Sequence, residues 1–234
     1  MQTLLNTPHE IIQQNILGAA AKAKTRILNI LVLGMMAGSF IAMGAQSSSL
    51  AVHNISNIGL ARTLTGCIFP VGLMMIVFVG GELFTGDCMM SMAWMQRKIH
   101  FADMLRTLVL VYVSNFVGAA LIAFLVAHSG QYDYSSGALG AYTIKVAYGK
   151  VHLSFANALV SGILCNILVC VAVLMAAAAK DIAGKVLAIF FPILAFVVSG
   201  FEHCVANMYY IPAGIFASKN AAYAAKALEL YNID

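Results

Sequence analysis

The stretch SGFEHCVANMYYIP sets Glu202 and His203 side by side among apolar and small residues, with Asn207 about one turn later. A carboxylate, an imidazole and an amide so placed can pass a proton, hold an ion or cap a broken helix. A second polar set stands in GGELFTGD (80–87), where Glu82 and Thr85 follow paired glycines. Asn166 lies in another apolar stretch, GILCN, where an unpaired buried amide costs about 1–3 kcal/mol, so it calls for a partner across the bundle. Each residue also has a plainer use. Glu82 and Glu202 can accept hydrogen bonds from backbone N–H groups freed at a helix break, and His203 can be a packed side chain. An intramembrane hydrolase built on Glu82, Glu202 and His203 is disfavoured, because no Ser, Cys or metal nucleophile constellation stands at a recognisable spacing.

Residues of this kind need an apolar frame, and the composition supplies one. Of 234 residues 62% are hydrophobic and 9% charged, far from the roughly 25% charged of soluble domains. The chain therefore reads as an integral membrane protein. Its net charge of +4 comes from basic residues in short segments between apolar stretches, which is topology information and no nucleic-acid-binding stripe. Five cysteines, Cys67, Cys88, Cys165, Cys170 and Cys204, are scattered without metal spacing and read as small core hydrophobes; no cofactor or metal is expected. No signal peptide is expected either.

A spanning helix needs about 20 mostly apolar residues. Five stretches qualify, near 27–50, 64–92, 104–128, 154–179 and 184–217. Alternating the connections puts eight basic residues on one side (Lys22, Lys24, Arg26, Arg97, Lys98, Arg106, Lys180, Lys185) and five on the other (Arg62, Lys145, Lys150, Lys219, Lys226). The positive-inside rule then places the N-terminus in the cytoplasm. Trp94, just before Arg97, suits an interface anchor. Before the spans, TPHEIIQQNILGAAAKAK offers Thr7 as N-cap, Pro8 at the first helical position, Glu10 three residues after the cap, and Ile12, Ile16 and Ala19 on one face. It predicts an amphipathic helix on the cytoplasmic surface, within an N-terminal region 1–26 ahead of a transmembrane domain 27–217.

The second and fifth stretches are too long and too interrupted to be rods. FPVGLMMIVFVGGELFTGDCMM (69–90) and FPILAFVVSGFEHCVANMYY (191–210) both begin Phe-Pro, run apolar, and reach Gly-x-Glu at Gly80/Glu82 and Gly200/Glu202. Corresponding interrupted helices in two halves point to a transport path, since irregular backbone in a bilayer survives only inside protein or beside a watered cavity. Phenylalanines flanking such breaks, Phe69, Phe84 and Phe196, are core or lipid-facing by default, but can also form apolar constrictions.

Together GGELFTGD, KVHLSF, GILCN and SGFEHCVANMYYIPAGI closely resemble the formate–nitrite transporter family of bacterial anion channels, over about residues 18–217. The resemblance implies an all-α, aquaporin-like bundle with two broken helices in an inverted repeat, assembled as a homopentamer in the bacterial inner membrane, with one pore per protomer. Carried over by position, His203 is the pore histidine, Thr85 its neighbour, and Asn166 and Lys150 a polar relay, with Glu202 and Asn207 beside them. Phe69, Leu73, Phe84, Val169 and Phe196 form the constrictions. Formate or a similar small anion and protons are the expected partners, with the N-terminal helix contributing to opening and closing. Aquaporins proper do not fit, because no Asn-Pro-Ala box occurs. The family has six spans, whereas 218–234 is too polar to cross; that segment is expected to be a loop ahead of an absent sixth span.

Overall fold

A computed structural model describes residues 5–233; residues 1–4 of the N-terminal region and Asp234 lie outside the described residues. Helix α1 (Pro8–Lys22) starts where the cap residues place it: the Thr7 hydroxyl accepts the Glu10 N–H at 3.3 Å and the Glu10 carboxylate accepts the Thr7 N–H at 2.7 Å. Ile16 and Ala19 are buried with Met90, Ala93 and Met104, while Ile12 stays exposed. Asn6 ties the start of this helix down, its N–H donating to the Ala178 carbonyl at 2.9 Å and its amide to Ala177 at 2.8 Å. The apolar face of α1 thus packs on the protein itself.

Five helices among the described residues are long and apolar enough to cross a membrane. They are α2 (Ile27–Val52), the run Ile58–Val79 formed by α3 (Ile58–Ile68) and α4 (Val71–Val79), then α7 (Phe101–Ala127), α9 (Phe155–Ala178) and α10 (Ile182–Ser199). The second span starts at Ile58 instead of 64, because the Asn57 side chain caps it by accepting the Leu60 N–H at 3.0 Å. After Gly80 it breaks, and the chain resumes as the short helices α5 (Phe84–Asp87) and α6 (Met90–Met95). The fifth span breaks likewise after Gly200, and resumes as α11 (Cys204–Ser218). Gly80 and Gly200 take φ of 101° and 73°, in the left-handed region that glycine enters without a steric cost.

The two breaks sit in corresponding surroundings. The Glu82 N–H donates to the Leu33 carbonyl of α2 at 3.2 Å, and the Glu202 N–H donates to the Ser161 hydroxyl of α9 at 2.9 Å. Around the first break, α2 and α7 approach closely through glycines. A methyl group at Gly38 would lie 2.0 Å from the Asn115 carbonyl oxygen, and one at Gly118 would lie 2.0 Å from that of Met35.

Two segments differ from the sequence expectation. Lys150, expected in a loop, lies near the end of helix α8 (Ala138–Val151), which packs against α11 by burying Leu139, Ala141, Thr143 and Ala147. The segment expected as a polar loop after residue 218 contains helix α12 (Ala221–Tyr231), capped by Asn220 and packed on α8. Neither helix is apolar enough to register as a span, so hydropathy alone passed over both.

Candidate functional site

The Gly80 and Gly200 breaks bring the starts of α5 and α11 together in the interior. There Thr85 and His203, 118 residues apart in sequence, meet: Thr85 Oγ1 lies 3.2 Å from His203 Nε2, and both residues are buried. The other ring nitrogen is committed locally. His203 is the N-cap of α11, and its Nδ1 accepts the Ala206 N–H at 3.0 Å. An accepting Nδ1 carries no proton, so the neutral ring is protonated at Nε2 and donates to Thr85. The threonine hydroxyl keeps its own proton for another acceptor.

Aromatic rings enclose this pair. The His203 ring stacks on Phe196 with centroids 5.9 Å apart and stands 6.4 Å from Phe69, which meets Phe196 edge-on at 5.7 Å. Leu73 and Val169 are buried in the same apolar cluster. Phe84 is placed differently: it is half-buried, its ring 5.0 Å from Tyr112 of α7 in a T-shaped contact. Its chain neighbour Leu83 stands beside Leu73 instead.

Two cavities approach from opposite ends. One of about 330 Å³ is lined by Gln14, Asn15, Lys22, Leu73, Leu83 and Asp87, on the side of α1. The other, about 150 Å³, is lined by Phe69, Lys150, Phe196, His203, Asn207 and Tyr210. They share no lining residue: Leu73 and Leu83 belong to the first, Phe69, Phe196 and His203 to the second, and Thr85 to neither.

Each break has a glutamate paired with a lysine brought from outside the span. Lys150 donates to Glu202 at 2.7 Å, and the Asn207 amide donates to the other carboxylate oxygen at 2.9 Å. Glu202 is therefore held by these two, and no hydrogen bond joins it to the neighbouring imidazole, whose nitrogens meet Thr85 and Ala206. Lys22, at the end of α1, reaches both Glu82 and Asp87. Burial alone would lower its pKa, but the two carboxylates outweigh that and raise it above the ordinary lysine value.

Asn166 finds a partner for only part of its amide: its side chain meets the Cys88 thiol beyond the first break. Its Oδ1 is buried with no hydrogen-bond partner among the described residues, beside an apolar groove of about 620 Å³ along α9. The amide paired at both ends is Asn115 of α7, fully buried and not singled out from sequence. Its Nδ2 donates to the Gly34 and Glu82 carbonyls, each at 2.8 Å, and its Oδ1 accepts the Phe84 N–H at 3.0 Å. The nearby glycines that admit it, Gly34 and Gly38, were the available signal.

A multi-pass helical bundle whose two broken helices meet at a buried polar pair, with two cavities that share no lining residue, is the architecture of a membrane transport protein. Over residues 9–232 the sequence matches the family described as formate/nitrite transporter, and the chain belongs to that family. It is 39% identical over 213 residues to the uncharacterized transporter YrhG of Bacillus subtilis, covering 90% of this chain and 80% of the relative. To the formate channel BtFdhC of Bacillus thuringiensis it is 38% identical, covering 90% and 82%. A solved structure described as a pentameric formate channel with formate bound superposes with a TM-score of 0.77 at 29% identity, covering 89% of this chain and 85% of that one.

Proposed function

We propose that the protein is a bacterial inner-membrane channel for small monovalent anions of weak acids, formate first, with pH-dependent gating through His203. Named formate channels among its relatives support the substrate, and the pentameric relative supports a homopentamer with one path per protomer. The basic residues favour an N-terminus in the cytoplasm. The observation that carries the reading is the buried Thr85–His203 pair, with the imidazole lining one of two cavities that share no residue. An anion at that depth is costly without donors, and the Thr85 hydroxyl, backed by the Nε2–H of His203, supplies one in a site shielded from bulk water. The positive end of the α11 dipole acts in the same sense.

The cap geometry supplies the pH response. Protonating His203 puts a hydrogen on Nδ1, which then faces the Ala206 N–H and can no longer accept it, so a charged ring loosens the first turn of α11. Formate influx into proteoliposomes, followed stepwise from neutral to acid pH, tests this. His203→Asn keeps a side-chain oxygen to cap Ala206 but removes the titrating ring. It is expected to assemble and to lose the pH response, and flux that still follows pH as the parent's does would reject the role assigned to His203.

A second reading, a proton-coupled carrier of the same substrates, is favoured by the two cavities sharing no lining residue, as alternating closure requires. Reversal potentials across a bilayer separate the two: a fixed proton-to-anion ratio marks the carrier. Stopped-flow uptake of formate, nitrite and hydrosulfide ranks the anions.

A further inference from the structure

Lys150 is the obvious residue to draw anions toward His203, yet its charge is balanced by Glu202 at 2.7 Å. A neutral pair has little reach into solution. Next to it opens another cavity, about 450 Å³, whose lining includes His53, Asn54, Arg62, Thr65, Tyr142 and Lys145 and no carboxylate. Thr65 and Tyr142 also line the cavity in front of His203, so they form a common lip between the two spaces. Arg62 makes no ion pair among the described residues, and its guanidinium lies 3.5–3.6 Å from where a methyl group on Gly200 would stand, at the edge of the second break. Lys145 likewise makes no ion pair among the described residues; its ammonium rests 4.5 Å from the Tyr231 ring centroid and 5.7 Å from that of Tyr142. The His53 ring is held by the Leu50 carbonyl at 2.7 Å and the Ser135 hydroxyl at 2.8 Å. Two unbalanced cations therefore face one cavity that adjoins the path.

We propose that Arg62 and Lys145 form an anion-receiving subsite at the mouth opposite α1, which takes a small monocarboxylate from solution and passes it over the Thr65/Tyr142 lip to the cavity before His203. It rests on the permeation reading above. Arg62 fits between anion and backbone as a planar donor, while Lys145 acts as a point charge whose aromatic neighbours leave its charge intact. Field from such a pair raises the local anion concentration, and salt removes that gain. The competing role for Arg62 is purely structural, as a cation beside the C-terminal end of α10.

Formate influx at sub-saturating concentration, measured on the full chain in proteoliposomes, separates these. Parent influx is expected to fall several-fold between about 0.01 M and about 1 M salt, where screening lengths shrink from about 30 to about 3 Å. R62Q/K145Q is expected to run about five-fold below the parent in low salt, at the modest end of steering effects, and to lose the salt response. R62K/K145R keeps both charges and is expected to keep the parent's salt response. K145Q alone, at an exposed side chain, carries part of the loss, so the outcome does not hinge on any part Arg62 has in folding. If R62Q/K145Q melts earlier but keeps the parent's influx and salt response, Arg62 is structural and the subsite is rejected. A parent that passes no formate overturns the permeation reading and the subsite with it, whereas a conducting parent with indifferent variants overturns the subsite alone.

Discussion

At the first break the Glu82 carbonyl and the Phe84 N–H are both held by the Asn115 amide of α7, whereas at the second the Glu202 carbonyl has no such partner among the described residues. The second break is secured by its own neighbours instead: Ser161 on the Glu202 N–H, Asn207 on its carboxylate, and His203 capping the helix it begins. Lysines differ too, since Lys22 meets two carboxylates and Lys150 one. One backbone plan thus has a fixed version and an adjustable one. The adjustable version is the one that carries His203.

The largest effect is expected where the first break leaves no room. Gly38→Ala forces a methyl to within 2.0 Å of a backbone oxygen that cannot move without α7. A loss above about 4 kcal/mol, read as failure to form a monodisperse oligomer in detergent, follows for a clash of this kind. Next comes Asn115→Ala, which strands the Glu82 carbonyl and the Phe84 N–H, each worth about 1–3 kcal/mol when buried, and removes a second donor from the helical Gly34 carbonyl. Ser161→Ala at the second break strands one N–H and is expected to cost about 1 kcal/mol, so equal melting shifts for the two would erase the contrast. Lys22→Ala leaves Glu82 and Asp87 uncompensated and is expected to lower the melting temperature more than Lys150→Ala, after which Asn207 still donates to Glu202. The smallest effect belongs to Gly162→Ala on α9, where the nearest atom to the new methyl is the Glu202 carbonyl oxygen at 3.9 Å. A gain of up to about 1 kcal/mol from helix propensity is expected, and a loss like that at Gly38 would mean that α9 is as tightly covered as α2.

Spans and breaks were legible because they are written locally or in a repeated Phe-Pro and Gly-x-Glu pattern, whereas the approach of His203 to Thr85 was expected only from the family resemblance. Helix ends within a few residues followed from caps such as Thr7. What pairs with what was not legible. Nothing near Glu82 in sequence names Lys22, because the contact exists only after α1 folds back beneath the break. Asn166 and Asn115 carry the same side chain in similarly apolar stretches, and only the crossing partner decides that the Asn115 amide is fully paired while the Asn166 Oδ1 is not. Arg62 and Lys145 served to orient the chain as two charges on one side; their common cavity depends on α8, a helix that hydropathy does not reveal. Leu83 and Phe84 show the finer limit, since a helix break fixes which of two adjacent side chains turns inward.

Helix α1 is fastened at its start by Asn6 to the end of α9 and at its finish by Lys22 to the break between α4 and α5. It therefore works as a tie rod between the two repeats, anchored in one and tensioned in the other. Any displacement of one repeat against the other would load a pair of backbone carbonyls at one end or an ammonium between two carboxylates at the other.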